Sequence, residues 1–529
     1  MQNLTKIIIS GLLIPFEKDC VDEYIRAAAA KLGICRSRIE FIEILNKSLD
    51  FSCEAAFYHK VSIAAAVAGI CNIAGFEEFP AYIEEAKRAP ASKTLRDRPV
   101  IIGFGPAGMF AALELIEYGI RPLIFERGKK IEERSADIRN FIEKSVLDAE
   151  SNIQFGEGGA GSFSDGKLFS RVKNSGHAAR VLETFIKFGA PAEIAYAAKP
   201  HLGTDILCKI VKNIRNYILE RGGEIFYGSK MTGMIISNGE ISGVIINGAD
   251  EYHSSLIYIA VGNSARDTLE MICRSGVMLE QKPVSIGVRI EHPAKIINLI
   301  RYGNKYNDFP EVAAAAYSFS YTDRAVGRGV YTFCMCPGGE IVNASSEQGM
   351  MALNGMSYSG RSSAFSNAAI VVTCRAGDYS SDHPLSGVEF QKDIERKAFI
   401  AAGGAWKCPA QNLTDFMRGE ISPVLNINSF KMGAAPVQMA EIFPEFISGM
   451  LLSAFGKWKK ECPQFVSEHA ILLGPETRTS SAVKIVRGEK YESVNIKNLY
   501  PIGEGSGYTG GITSAASDAI RAVEASLAV

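Results

Sequence analysis

The 529-residue chain predicts an α/β fold: a three-layer domain built on a parallel sheet, interrupted by a mixed α/β insertion and preceded by a small α+β domain. Three stretches carry that prediction. Pro99 to Arg127, PVIIGFGPAGMFAALELIEYGIRPLIFER, reads as strand, glycine turn, helix and second strand. Ser255 to Gly262, SLIYIAVG, is a short apolar run that ends in glycine and suits a strand buried on both faces. Asn498 to Val529 gives a further strand, a glycine-rich loop and a terminal helix starting near Gly511 or Ile512.

Within the first stretch, Val100 to Ile102 form the strand, Gly103, Gly105 and Gly108 give the spacing G-x-G-x-x-G, and Met109 to Tyr118 carry apolar residues at helical intervals. The first glycine permits a tight turn, the second lets a pyrophosphate approach the backbone, and the third lets the helix lie close to the strand. Phosphate charge would then meet a helix N-terminus. Glu126 closes the second strand about 20 residues on, placed to accept hydrogen bonds from ribose hydroxyls and to repel the extra phosphate of NADP. A glycine turn without any nucleotide is the plain alternative, but strand, helix and carboxylate together favour a Rossmann-like dinucleotide unit. Gly103, Gly105, Pro106, Ala107, Gly108, Glu126 and Arg127 are therefore candidate cofactor contacts.

Length suggests about three or four domain-sized units. Hydrophobic residues at 47% and charged residues at 22% are ordinary for a globular protein, and 57 basic against 58 acidic residues give no electrostatic footprint for nucleic acid. Ile7 to Phe16 and Ser62 to Ile70 are too short to span a bilayer, and charges follow the first of them where a signal peptide would be cleaved. A cytoplasmic protein with no membrane association is expected. Eleven cysteines, scattered singly apart from Cys334 and Cys336, fit thiols kept reduced, and no zinc spacing appears among them or the seven histidines. No metal is expected.

Residues 1 to 95 alternate on their own: a strand near Thr5 to Ile14, a helix near Val21 to Leu32 stopped by Gly33, and strands near Ile39 to Lys47 and Ala56 to Ala66. A ferredoxin-like sheet satisfies that order. Ala89 to Arg98 is polar, holds a proline and reads as a linker, so the nucleotide domain takes residues 96 to 265. It continues with a charged helical stretch to about Glu150 and the loop FGEGGAGSFSDGKL, Phe155 to Leu168, whose small residues suit wrapping a flat ligand or a phosphate chain. Gly158, Gly159, Ala160 and Gly161 of this loop are candidate cofactor contacts, and its Asp165 and Lys167 are candidate catalytic groups.

Thr204 to Gly222 reads as a helix capped by Thr204 or Asp205, and Glu224 to Tyr227 as a strand. Met231 to Ile236, Ile241 to Ile246 and Glu251 to His253 follow as strands joined by Asn238-Gly239 and Asn247-Gly248 turns. Ala260 and Gly262 end the next strand beside the cofactor. Residues 266 to 497 then form the insertion, with strands near Val284 to Ile290 and Gly329 to Met335, a helix over Pro444 to Glu461, and the far wall of any substrate pocket. Its CMCPGG segment holds Cys334 and Cys336. C-x-C is a cramped spacing for a disulfide and Pro337-Gly338-Gly339 accounts for a tight turn, so a structural role is favoured over a redox one. Residues 498 to 529 return to the nucleotide domain with a second anion-cradling turn, and Gly503, Glu504, Gly510, Gly511 and Ile512 join the candidate contacts.

IIGFGPAGM, the acidic end of the second strand, the AVG strand end and IGEGSGYTGGI together resemble the FAD-binding fold of glutathione-reductase type. With GEGGAGSFSDGKL, KPHLGTD, CMCPGGE and GEGSGYTGG, nearly the whole chain resembles the bacterial FAD-dependent dehydrogenases that carry a small N-terminal domain. The resemblance implies that Gly103, Gly105, Ala107 and Gly108 hold the FAD pyrophosphate and Glu126 the adenosine ribose. It also implies that Glu504, where many relatives have Asp, sits near the ribityl chain, and that Gly510, Gly511 and Ile512 set a helix N-terminus at the isoalloxazine edge, favouring flavin reduction. A second G-x-G-x-x-G is missing, which leaves the electron donor open between a transient visit by NAD(P)H, expected to reduce the flavin slowly, and direct oxidation of an organic substrate. The expected partners are a small-molecule substrate and an electron acceptor. A flavin-dependent RNA-modifying or RNA-binding protein and a non-catalytic flavin sensor are the alternatives; balanced charge and the lack of RNP-like aromatics in residues 1 to 95 weigh against the first.

Overall fold

Three strands of the central sheet are short apolar runs with no polar face to give to water. Val100–Ile102, Leu123–Phe125 and Ile257–Ile259 lie almost wholly buried, as parallel strands covered by helices on both sides must be. The computed structural model describes residues 4–68, 76–79, 95–168 and 176–528. Across the sheet the strands run Glu224–Phe226, Leu123–Phe125, Val100–Ile102, Ile257–Ile259 and Leu499–Pro501, all parallel. The last strand thus returns from the far end of the chain to lie beside Ile257–Ile259.

On one face, the helices Pro106–Glu117, Thr204–Glu220 and Ile512–Leu527 share a core with Phe104, Phe110, Phe185, Ile214 and Val523. On the other, an antiparallel meander of Met231–Ser237, Glu240–Ile246 and Asp250–His253 sets Tyr252 against Phe125, ring centroids 4.5 Å apart. Both of its turns have positive φ at Asn and Gly, 51° and 74° at Asn238-Gly239 and 51° and 82° at Asn247-Gly248, the geometry that lets a tight hairpin follow strand twist.

The insertion is a seven-stranded sheet in the order Ser320–Asp323, Arg328–Cys336, Phe365–Cys374, Val284–Pro293, Ile471–Glu476, Cys408–Asn412 and Ala434–Pro436. Only its last pair is parallel. A ribbon of Glu340–Asn343 and Leu353–Met356 lies beside it, and Ser386–Ala401 and Glu445–Glu461 pack on it as helices. Buried charge ties this part to the parallel sheet. Arg266, just past Ile257–Ile259, donates to Glu395 at 2.7 and 2.8 Å, and Arg478 reaches the same carboxylate at 2.9 Å.

At the N-terminus the sheet order is Ile39–Asp50, Tyr58–Ala68, Leu4–Pro15 and Glu77–Glu78, antiparallel throughout. The helix Val21–Leu32 ends at Gly33, which is left-handed at φ 66°. This unit docks on the insertion: Lys305 Nζ donates to the carbonyls of Phe51, Cys53 and Ala56, and Phe57 packs edge-on against Tyr302 and Phe309. Of the expected linker, residues 89–94 lie outside the described residues. Among the described residues no helix is long and apolar enough to cross a membrane.

Two local expectations are corrected. The helix after Glu126 spans Ile131–Lys144 and stops at a left-handed Ser145, and beyond it Asp148 turns the chain by accepting the Glu150 and Ser151 amides. The helix Thr204–Glu220 has Gly203 at its N-cap, with no side-chain cap. A Cβ at Gly203 would overlap the backbone of Tyr358 and Ser359, while the Thr204 hydroxyl donates to the Ser164 carbonyl and Asp205 accepts from Ser359 N and Oγ at 2.8 and 2.7 Å.

Glu291, fully buried in Val284–Pro293, accepts the Ser429 amide at 2.7 Å and the Ser429 hydroxyl. Burial pushes its carboxyl up to about 7, against the lowering effect of Ser429. A carboxyl raised in the folded state contributes stability that is complete below about pH 4.5 and lost as pH rises through about 7, about 3 kcal/mol over that window. Glu291→Gln is therefore expected to be nearly neutral at pH 4.5 and to gain on the parent by pH 8, read as the difference between their melting temperatures across a pH series. Parallel curves would refute the assignment.

Candidate cofactor and redox site

The glycine turn after Val100–Ile102 is shaped by what stands around it. Gly103 has φ 97°, and a Cβ there would overlap the Ala260 carbonyl; at Gly108 a Cβ would overlap the Gly103 carbonyl oxygen. These two glycines are required by the protein itself. Gly105 differs: its φ is −82°, and an added Cβ would meet nothing nearer than Gly159 Cα, an ordinary 3.5 Å away. It is the N-cap of Pro106–Glu117, Pro106 opens the helix, and no side chain caps that end, which leaves it to an anion.

The other glycine segments close on this turn. A Cβ on Gly159 would come 2.9 Å from Gly105 Cα, one on Gly161 3.1 Å from Ile512 Cγ1, and one on Gly503 2.6 Å from the Cβ of Ala107. Gly505 packs likewise on the Gly262 carbonyl, 2.5 Å from such a Cβ. Ala260 N donates to Ile102 O at 2.8 Å, Gly158 lies at φ 84°, and Ala160 opens a short 3-10 turn, Ala160–Phe163. Gly510 and Gly511 precede Ile512–Leu527, whose N-terminus also lacks a side-chain cap. Segments separated by up to 400 residues in sequence thus build one cradle.

Glu126 sits at its base, 5% exposed. One carboxylate oxygen accepts Phe104 N at 2.8 Å and the other Gly128 N and Gly156 N at 2.9 and 3.0 Å, which pins the glycine turn and the 155–168 loop to one strand end. Arg127 is taken up elsewhere, by Glu150 at 2.7 Å and by both oxygens of Asp267 at 2.9 and 3.0 Å, with its guanidinium over Phe155.

Asp165 and Lys167, at the end of that loop, meet residues of the insertion. Asp165 accepts from Ser357 Oγ at 2.5 Å and from Arg361 at 2.5 and 3.1 Å, with Lys167 Nζ 3.5 Å away. Burial pushes its carboxyl up, but Lys167 and Arg361 outweigh it and hold it below the usual range. The Lys167 ammonium donates to the Met335 carbonyl, between Cys334 and Cys336. Arg289, with no exposed surface, donates to the Cys334 carbonyl at 3.4 Å, to Glu476 at 2.8 Å and to Asn367 at 2.6 Å. Glu504 accepts from Asn263 Nδ2 at 2.9 Å; burial pushes its carboxyl up to about 7, opposed by Lys282 and by the Gly511 amide.

A family model described as "FAD-dependent protein, C-terminal domain-like" matches residues 283–479. An uncharacterized protein of Clostridium beijerinckii is 40% identical over 505 residues, 93% of each chain. The chain belongs to this family of FAD-dependent proteins. Among solved structures, it is similar to a geranylgeranyl bacteriochlorophyll reductase-like protein of Thermoplasma acidophilum, at 12% identity over 81% of this chain and 77% of that one, TM-score 0.33. It is also similar to CtdE in complex with FAD, at 10% identity over 80% and 82%, TM-score 0.32.

The cradle fits FAD on the protein's own geometry. Two uncapped helix N-termini and a glycine, Gly105, with room for a side chain that it lacks leave space and positive potential for a pyrophosphate. The glycine segments singled out in the sequence come together in that cradle, without Arg127. The sequence reading missed what holds the loop in place, above all Arg134, which donates to carbonyls of Asn152, Ile153, Gly156, Glu157 and Gly159. Glu157, in turn, accepts Ile131 N at 2.8 Å, Arg215 at 2.7 Å and the Tyr227 hydroxyl at 2.7 Å. One signal was present: with Ile131, Ile138 and Phe141, Arg134 occupies the buried stripe of its helix.

Proposed function

We propose that this FAD-dependent oxidoreductase passes a hydride between its flavin and a small organic substrate or nicotinamide donor, in the space between the parallel sheet and the insertion. The observation that carries the reading is the meeting of the glycine cradle with a charged and sulfur-bearing cluster from a different sheet: Lys167 from the cradle loop donates to Met335 in the insertion. FAD, when bound, supplies the hydride-accepting and hydride-donating centre. The chain's own residues bind, orient and exclude water.

In this reading Gly103, Gly105, Pro106, Ala107 and Gly108 hold the pyrophosphate, Glu126 the adenosine ribose, and residues 158–161 wrap the cofactor. Glu504 lies by the ribityl chain, and Gly510, Gly511 and Ile512 set a helix N-terminus where negative charge gathers on reduction. Lys167, whose ammonium is favoured by Cys334, Cys336 and Asp165 against the lowering effect of burial, holds a proton at Nζ beside the substrate. The division into residues 1–95, 96–265, 266–497 and 498–529 is supported by Leu499–Pro501 pairing with Ile257–Ile259. A glutathione-reductase-type layout is supported by the five parallel strands with their antiparallel meander, and a ferredoxin-like N-terminal unit by its sheet order. The partners are then a soluble small molecule and an electron acceptor in the cytoplasm, with no nucleic acid.

The test is the visible spectrum of the purified protein, followed by denaturation and chromatography of the released chromophore; FAD near one per chain is expected. Anaerobic addition of NADPH alone should bleach the flavin slowly, since only one dinucleotide fingerprint is present. Rapid bleaching would overturn the transient-visit model, and a chain that refuses FAD would overturn the whole reading.

A further inference from the structure

The segment Cys334-Met335-Cys336 is built differently from the rest of its strand. Phe333 pairs with Ala369 and Cys336 with Asn367, so three steps on one strand oppose two on the other, and Cys334 takes up the extra residue at φ 43°. A non-glycine residue is rarely found there, and a bulge of this kind re-aims side chains beside active sites. Here it brings the two cysteines together: the Cys336 thiol donates to the Cys334 carbonyl, 3.4 Å from Sγ. Two residues apart on a regular strand span roughly 6.6 Å between Cα atoms, the upper end of what a disulfide bridges. The neighbours leave room for sulfur, because a Cβ at Gly355 would come within 2.8 Å of Cys336 Sγ and one at Gly339 within 2.9 Å of Cys336 Cβ.

We propose that Cys334 and Cys336 form a redox-active dithiol that exchanges two electrons with the flavin, a role that rests on the oxidoreductase reading above and gives that site a second redox centre. In the forward step two S–H bonds break and one S–S bond forms, and the electron pair and both protons pass to the oxidised flavin; the reverse step restores both thiols. The reacting form is a thiolate, and two cations stand beside the pair: Lys167 donates to the Met335 carbonyl and Arg289 to the Cys334 carbonyl at 3.4 Å. Cys336 and those two cations hold the Cys334 thiol below the usual range against burial and Asp165, while Cys334 and burial push the Cys336 thiol up. Cys408 provides the contrast: fully buried and with no cation acting on it, its thiol is pushed well up by burial and Glu291. Position supports a role beside the cofactor, since Lys167, which ends the cradle loop, donates to the Met335 carbonyl between the two cysteines.

The decisive experiment is an anaerobic dithionite titration of air-oxidised holoprotein. Wild type should take up four electrons per FAD, two for the flavin and two for the disulfide, whereas Cys334→Ser and Cys336→Ser should each take up two. Uptake of two by wild type would overturn the proposal. A second measurement needs no flavin: the oxidised chain is denatured in excess iodoacetamide, digested and weighed. The peptide holding Cys334 and Cys336 should be unalkylated and lighter by two hydrogens than its reduced form; full alkylation without prior reduction would refute the pair. FAD that binds and bleaches normally beside two freely alkylated cysteines would sink the dithiol and leave the oxidoreductase reading intact. A protein that binds no FAD would sink that reading, and with it any exchange between the cysteines and a flavin.

Discussion

Gly105→Ala is expected to yield a chain that folds and melts like the parent apoprotein yet purifies with little or no FAD, its affinity reduced at least tenfold, about 1.4 kcal/mol or more. Protein packing alone gives no reason for glycine there: φ is −82°, and the added methyl carbon would stand at van der Waals distance from Gly159 Cα. The methyl would instead occupy the space through which a pyrophosphate reaches the backbone. Gly108→Ala is the contrasting variant. Its Cβ would overlap the Gly103 carbonyl oxygen, so the helix must move off the strand and stability falls along with cofactor content. Flavin absorbance per chain, with melting curves of the two apoproteins, separates the cases. Gly105→Ala retaining a full complement of FAD would show that the cofactor does not approach this turn.

The cradle was legible because its constraints are local. A glycine that must turn the chain, a helix that starts without a cap and a carboxylate that ends the next strand all fall within 30 residues, and spacing reports them. What spacing does not report is which distant side chain satisfies a loop's carbonyls. Arg134 and Arg139 lie on the same charged helix, five residues apart, yet one is wholly buried and the other exposed. Arg289 likewise sits in an apolar strand with partners at 354, 367 and 476. The bulge at Cys334 was hidden for a related reason: it depends on the register between two strands, which C-x-C followed by Pro337-Gly338-Gly339 does not report. The Thr204 or Asp205 cap failed because close approach of the 358–359 backbone required glycine one residue earlier, a tertiary demand that overrode capping preference.

Arg134→Met is expected to be the most damaging single change outside the cradle itself. The guanidinium has no exposed surface; it donates at 2.7 to 3.3 Å to five carbonyls between residues 152 and 159 and stacks over Phe163. Burial is costly enough to bring it down to about 10, with Glu126, Cys208 and Glu157 opposing the fall. Gly156, at φ 119°, has no side chain because Arg134 Cδ fills that space. Methionine would keep much of the volume and remove every donor, leaving buried carbonyls that each cost about 1–3 kcal/mol when unsatisfied. Even after partial hydration of the loop, a loss of about 3 kcal/mol or more is expected. The loop then detaches from Glu126, which holds Gly156 N, and FAD retention falls with it. Arg139→Met, on the exposed face of the same helix, should change stability by no more than about 0.5 kcal/mol. Denaturant melts, flavin content and proteolysis within residues 152–163 read the result. A stable, yellow, protease-resistant Arg134→Met protein would mean that the loop is held by the cofactor or by Glu157, with Arg134 filling space.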